Sequence, residues 1–170
     1  LVDSGGQYLF GTTDVTRTIS FGKISQYIKD IYTRVLKGHI AVSNFKIKNK
    51  TTGGEIDIVA RKYLKKINLD YPHGTGHGIG YFLNVHEGPQ SISKKNKYNL
   101  ENGMVLSNEP GFYKNTAFGI RIENLVFIQN KKFRELTMVP IEKNLINKKI
   151  LTKKEKNWIN NYHKKVKLNL

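Results

Sequence analysis

The 170-residue sequence contains no cysteine, which excludes disulfides, iron–sulfur clusters and cysteine-ligated zinc together. It has no run of eighteen apolar residues, so it offers no transmembrane helix. Proline is scarce at four, tryptophan occurs once, and only five arginines stand beside twenty-four lysines. Acids are few as well: thirteen against twenty-nine bases leave a formal charge of +16. Such a balance invites a nucleic-acid reading. Base readout and phosphate clamping, however, favour arginine forks and aromatic platforms, and neither is concentrated anywhere in the chain. Lysine and asparagine rise together, as a drift towards A/T-rich codons would make them at solvent-facing positions. Residues 141–170 hold nine Lys and two Glu, and Lys46, Lys48 and Lys50 form a smaller cluster. These read as a solvated basic face rather than a nucleic-acid surface.

Enough apolar material is present for a real core: 38% hydrophobic residues, including eight Phe and nine Tyr, exclude disorder and collagen-like repeats. The opening Leu1-Val2-Asp3 is neither a start methionine nor a signal peptide, so a preceding segment is expected. No internal repeat is visible. Val15 to Phe21 alternates with β-branched residues and predicts a strand. From Ser25, apolar residues at Tyr27, Ile28, Ile31, Tyr32, Val35 and Leu36 follow one helical face, with Gly38 near the expected end. After a polar loop at 49–54, a second helix buries Ile56, Val59, Ala60, Tyr63, Leu64 and Ile67. Pro72 stops it, and a glycine-rich stretch runs from His73 to Gly80. Asn102-Gly103 predicts a tight turn into a short strand, Met104 to Ser107. A longer strand is expected from Ile120 to Gln129. Thr152-Lys-Lys-Glu155 has the spacing of a capping box, which predicts a C-terminal amphipathic helix over 152–168. Helices and strands without regular βαβ alternation make the fold class α+β.

Chemistry-bearing residues sit at loop–strand junctions: Asp3-Ser-Gly-Gly, Gly11-Thr-Thr-Asp14, His73-Gly-Thr-Gly-His77-Gly-Ile-Gly80, Ser107-Asn-Glu109-Pro-Gly111 and Gly119-Ile-Arg121-Ile-Glu123-Asn124. Singly, each has a plain structural explanation as a turn or strand-end residue. Glu123 is the exception, because its strand is so apolar that a carboxylate there needs a cation or dense hydrogen bonding. Arg121, two residues away on the same strand face, is the structural candidate for that partner. Together Asp3, Asp14, Glu109 and Glu123 carry four negative charges, which two divalent cations balance. Four carboxylates plus the His77 imidazole suit Mn, Fe, Co or Zn, and the oxygen-rich set leans towards Mn. Other motifs fail: His86-Glu87-Gly-Pro lacks the second histidine of a zincin, and no phosphate loop, dinucleotide fingerprint or Gly-x-Ser-x-Gly elbow occurs.

In this order and context the five residues resemble the ligand set of the pita-bread metallopeptidases, and within them the eukaryotic-type cytosolic aminopeptidase P (Xaa-Pro aminopeptidase) family. Val35-Leu-Lys-Gly-His-Ile-Ala-Val42, Phe82-Leu-Asn-Val-His-Glu-Gly-Pro89 and Trp158-Ile-Asn-Asn-Tyr-His163 strengthen the likeness. The resemblance implies an enzyme with two divalent metals, usually manganese, that removes the N-terminal residue from peptides with proline second. Asp3 would bind one metal, Asp14 and Glu123 would bridge both, and His77 and Glu109 would complete the second. A hydroxide bridging the metals would attack the scissile carbonyl. Glu109 would double as general base, His86 would donate to the oxyanion, and His39, His73, His86 and Arg121 would contact substrate. The resemblance also implies that residues 1–170 are one partial catalytic domain, that the first part of the fold and further N-terminal domains are missing, and that the whole protein is a cytoplasmic homodimer. Competing readings are a prolidase or methionine aminopeptidase of the same fold, and a non-catalytic pita-bread module that binds protein or nucleic acid. The bland alternatives for the histidines are a helix C-terminus for His39, a polar loop for His73 and a strand end for His86.

Overall fold

The computed structural model describes residues 1–81 and 84–170; Phe82 and Leu83 of the Phe82–Pro89 motif lie outside the described residues. The chain opens on an antiparallel hairpin, β1 (Val2–Tyr8) and β2 (Gly11–Arg17), whose register sets Asp3 opposite Thr16 and Gly5 opposite Asp14. Two helices follow, α1 (Gln26–Ser43) and α2 (Gly53–Lys65). Then come β3 (Gly76–Ile79), β4 (His86–Ile92), β5 (Val105–Asn108), β6 (Gly111–Lys114), β7 (Phe118–Arg121), β8 (Asn124–Gln129) and β9 (Lys132–Glu135). A short 3-10 turn, Lys148–Ile150, precedes the last helix, α3 (Lys153–Leu168). A five-stranded sheet has the order β4-β3-β5-β8-β9, and β6 and β7 form a separate hairpin. The α+β class is as expected.

Ser25 caps α1 by accepting the Ile28 amide, and Thr152 with Glu155 forms the capping box that starts α3. Helix α1 does not stop near Gly38. It continues to Ser43, because Gly38 is there for contact: a Cβ on it would meet the Ala60 carbonyl oxygen of α2 at 2.5 Å. The long strand expected over 120–129 is broken. β7 ends at Arg121 and β8 begins at Asn124; of the two residues between, Ile122 donates its amide to the Pro110 carbonyl at 3.3 Å and Glu123 donates its amide to the Thr16 carbonyl of β2 at 3.1 Å. β1 is a further difference, since Asp3-Ser-Gly-Gly forms a strand rather than a turn; the hairpin supplies the partner that local propensity lacks. Ile67 is exposed just beyond the end of α2 instead of on its buried side.

Two apolar clusters hold the elements together. One packs α1 and α3 through Tyr32, Leu36, Ile120, Ile122 and Tyr162; the other packs α1, α2 and the sheet through Val42, Ile56, Leu106, Val126 and Ile128. Among the described residues no helix is long and apolar enough to cross a membrane.

Candidate metal centre

The hairpin β1–β2, the loop before β3, the start of β4, the β5–β6 junction and the β7–β8 break converge on one cleft of about 810 Å³. Asp3, Asp14, His77, Glu109 and Glu123 all line it, as do His73, His86 and Arg121. Ligand atoms of Asp14, His77 and Glu123 lie within 4.8 Å of one another. His77 Nε2 is 3.5 Å from Asp14 Oδ2 and 3.3 Å from Glu109 Oε1. Its Nδ1 donates to the Gly78 carbonyl at 2.9 Å, which leaves Nε2 as the free electron-pair donor facing the carboxylates.

Glu123 is 1% exposed. Its Oε2 accepts the Thr16 hydroxyl at 2.6 Å, while Oε1 is buried with no hydrogen-bond partner. Burial first, then the negative charges of Glu109, Asp14 and Asp3, push the Glu123 carboxyl up to about 8. Burial also raises the Glu109 carboxyl, although His77 and the Ser107 hydroxyl (3.0 Å) oppose it. The His77 imidazole, pulled down by burial, is carried above its ordinary value by Asp14, the Gly78 carbonyl and Glu109. An orphaned buried oxygen, a correctly tautomerised imidazole and crowded carboxylates are what a cation site needs, so these residues fit divalent metal ions.

Asp3 lies at the open edge, where its carboxylate meets the Arg121 guanidinium and accepts the Thr16 hydroxyl at 3.1 Å. Arg121 also donates to Thr16 Oγ1 (2.9 Å) and to the Tyr113 hydroxyl (2.9 Å), and its Nε is 3.8 Å from Glu109 Oε2. The expectation that Arg121 neutralises Glu123 along one strand is therefore corrected. Arg121 pairs with Asp3 and meets Glu123 only through the Thr16 hydroxyl, to which its Nε donates and which in turn donates to Glu123 Oε2.

The histidines divide. His73 Nδ1 donates to the Gly74 carbonyl at 2.7 Å, and Nε2 accepts from Tyr113 at 2.8 Å; burial holds the ring below its ordinary pKa. His86 is exposed at the cleft wall with its ring against that of His77, centroids 4.0 Å apart. His39 does not line the cleft, so its expected substrate contact is corrected. It is 0% exposed inside α1, donates from Nδ1 to the Asn108 carbonyl at 3.1 Å and packs edge-on against Trp158. Because α1 runs on past Gly38, it is not a helix-terminal histidine either.

Two supports escaped the sequence. Buried Arg17 donates to the Glu123 and Thr16 carbonyls, to Asn124 Oδ1 (2.7 Å), to the Val139 (2.7 Å) and Pro140 (3.0 Å) carbonyls and to Tyr162 (3.0 Å) of α3. Asp57, a lone acid in the apolar stripe of α2, accepts Thr75 (2.7 Å) and Arg61 (2.8 Å); the Thr75 carbonyl in turn holds the Glu109 amide at 2.8 Å. That lone acid among Ile56, Ala60 and Leu64 was the available signal.

The model of metallopeptidase family M24 matches residues 1–130, and that of the C-terminal region of peptidase M24 matches residues 130–170. This chain belongs to the M24 metallopeptidase family. It is 53% identical over 179 residues to Xaa-Pro aminopeptidase 1 of Dictyostelium discoideum, across 98% of this chain and 28% of that protein. Aminopeptidase P2 of Arabidopsis thaliana is 47% identical across 98% of this chain and 25% of its own length. Among solved structures, the X-prolyl aminopeptidase of Caenorhabditis elegans, described as a cytosolic enzyme with a di-nuclear active site, superposes with a TM-score of 0.90 at 41% identity, over 96% of this chain and 28% of that one. Prolidase from Pyrococcus furiosus gives 0.72 at 34%, over 79% of this chain and 40% of its own. The fold is that of the pita-bread peptidases, of which this chain is a part. It spans 28% of the length of the Dictyostelium relative.

Proposed function

We propose that this chain carries the metal-binding catalytic cleft of an aminopeptidase that removes the residue preceding proline from the N-terminus of peptides. The observation that carries the reading is the convergence of Asp14, His77 and Glu123 within 4.8 Å, with Glu109 at 3.3 Å from His77 in the same cleft. The proline preference is supported by the names of the relatives at 47–53% identity. Asp3, Asp14, His77, Glu109 and Glu123 would hold two divalent ions, manganese foremost given four carboxylates to one imidazole. Such ions polarise a carbonyl and bring the pKa of water down towards roughly 7.

The remaining chemistry belongs to the chain itself. Glu109 Oε1 accepts the Ser107 hydroxyl, so Oε2 is the atom that takes the proton of the attacking water; burial raises its carboxyl, in the direction a general base needs. His86, exposed at the cleft wall, donates to the oxyanion that develops on the scissile carbonyl. His73, locked in one tautomer between Gly74 and Tyr113, orients the peptide. Arg121 holds Asp3 in place. Residues 1–170 act as one partial catalytic domain, and the whole protein is the cytosolic enzyme.

Elemental analysis of protein saturated with Mn²⁺ and desalted tests the centre: about two ions per chain are expected, and a ratio near zero overturns it. A panel of Arg-Pro-Pro, Gly-Pro and Met-Ala-Ser peptides offered to the whole protein tests specificity. Release of arginine from the first supports the reading. Cleavage confined to the dipeptide makes it a prolidase, and cleavage confined to the third makes it a methionine aminopeptidase.

A further inference from the structure

A second cleft, of about 690 Å³ and sharing no lining residue with the acidic one, lies between the end of α1, edge strand β9 and α3. Its wall carries five cationic side chains: Lys46, Lys132, Arg134, Lys164 and Lys165. Lys46 and Lys132 are direct partners in an isolated antiparallel bridge, fastened by the Ile47 amide on the Lys131 carbonyl at 3.0 Å. Like charges directly opposite each other destabilise a strand pair. Arg134 follows two residues after Lys132 on the same strand face. Among the described residues none of the five makes an ion pair within 4 Å. The single acid of the wall, Glu135, accepts the Asn124 amide at 2.7 Å and attracts Lys165, so one carboxylate stands against five cations. Protecting the sheet edge from pairing explains charge on β9 alone. It explains neither a lysine placed opposite Lys132 nor Lys164 and Lys165 converging from another element.

We propose that this cleft binds a small, multiply charged anion bearing linked phosphates. Its volume lies in the range of small-ligand sites, and a polyanion turns the repulsion of the Lys46–Lys132 pair into attraction shared by five cations. The site is separate from the peptidase cleft and does not depend on the reaction assigned to it.

The probe is tripolyphosphate, titrated calorimetrically into metal-free protein at about 0.15 M salt, where surface charges are screened beyond roughly 8 Å. Omitting divalent ions prevents capture through the acidic cleft. One saturable site is expected, with a change in the fluorescence of Trp158, which lines the cleft and is the chain's only tryptophan. The double variant Lys46→Gln/Lys132→Gln should bind at least tenfold more weakly while melting no lower than wild type when free. The control Lys153→Gln/Lys154→Gln removes the same charge from the first turn of α3 and should bind as wild type does. Equal weakening in both variants, or no saturation, overturns the proposal, since binding then follows net charge. Displacement by a single-stranded oligonucleotide that is equally sensitive to the control variant also overturns it, in favour of an extended nucleic-acid face. Tighter binding of a nucleoside triphosphate than of tripolyphosphate supports a nucleotide as the source of the phosphates; equal affinity supports the phosphate chain alone.

Discussion

Glu109 lines the cleft just after β5, while His39 is sealed inside α1 against the carbonyl of the preceding Asn108, and each makes a separate prediction. Glu109→Gln keeps the shape of the side chain and its bond to Ser107 but cannot take a proton at Oε2. Turnover of an Xaa-Pro peptide should fall by at least about 10²-fold, with the melting temperature within a few degrees of wild type; near-normal rates would remove Glu109 from its role. His39, wholly buried, is pulled down to about 3 by desolvation first and by the Arg17 charge second. A group whose folded pKa lies below its unfolded value stabilises the fold above the unfolded pKa and loses that contribution as pH drops, here from about 6.5 towards 3. Between pH 7 and pH 5 the loss is about 2 kcal/mol. Glu109 and Glu123 titrate in the opposite sense, so the informative quantity is a difference. His39→Asn should show a smaller loss of urea stability from pH 7 to pH 5 than wild type does, and an unchanged loss would show that His39 does not titrate in this window.

Between elements, the decisive contact is Arg17 on β2, which reaches the β7–β8 break, the 139–140 segment and Tyr162 of α3 at once. It fixes the backbone of Glu123, so the C-terminal helix supports that carboxylate through Tyr162 and Arg17. Arg17→Lys cannot reproduce the fork and leaves several buried carbonyls unmet, at a cost of about 2–4 kcal/mol. It should also weaken Mn²⁺ binding roughly 10–100-fold, as loss of an outer support typically does. Val166→Ala in α3 provides the contrast: it should lower stability by about 1–3 kcal/mol with Mn²⁺ affinity unchanged. Equal affinity in both variants would make Arg17 merely structural. This level was only partly legible in the sequence. α1 and α3 could be read because apolar spacing and the Ser25 and Thr152 caps are local signals. The break after Arg121 could not, because Ile120 to Gln129 is largely apolar throughout and the carbonyls that take the Ile122 and Glu123 amides, Pro110 and Thr16, lie elsewhere in the chain. Gly38 misled for a similar reason: what it accommodates is the Ala60 carbonyl, twenty-two residues further on.

Across the whole molecule, a chain of net charge +16 gathers four of its thirteen acids into one cleft. The motifs announced those residues, yet not the tension among them, which depends on how closely the fold packs the carboxylates and how far it buries Glu123. Without cations, that cluster opposes folding above neutral pH, because Glu123 must ionise with Oε1 unpartnered and Glu109, Asp14 and Asp3 nearby. Stability and metal binding should therefore separate on substitution. Glu123→Gln removes one charge from the cluster and should raise the melting temperature of chelator-treated protein at pH 8.5. The same variant should lose most of its response to Mn²⁺. In wild type, ion at a hundredfold excess over its Kd adds about 2.7 kcal/mol, roughly 5–10 °C for a domain of this length. Scanning calorimetry with and without Mn²⁺ reads both quantities in one experiment. If the variant melts lower than wild type without metal, the carboxylates are held apart more effectively than their spacing implies. If it keeps the full Mn²⁺ shift, Glu123 is not a ligand and the cation must sit elsewhere in the cleft.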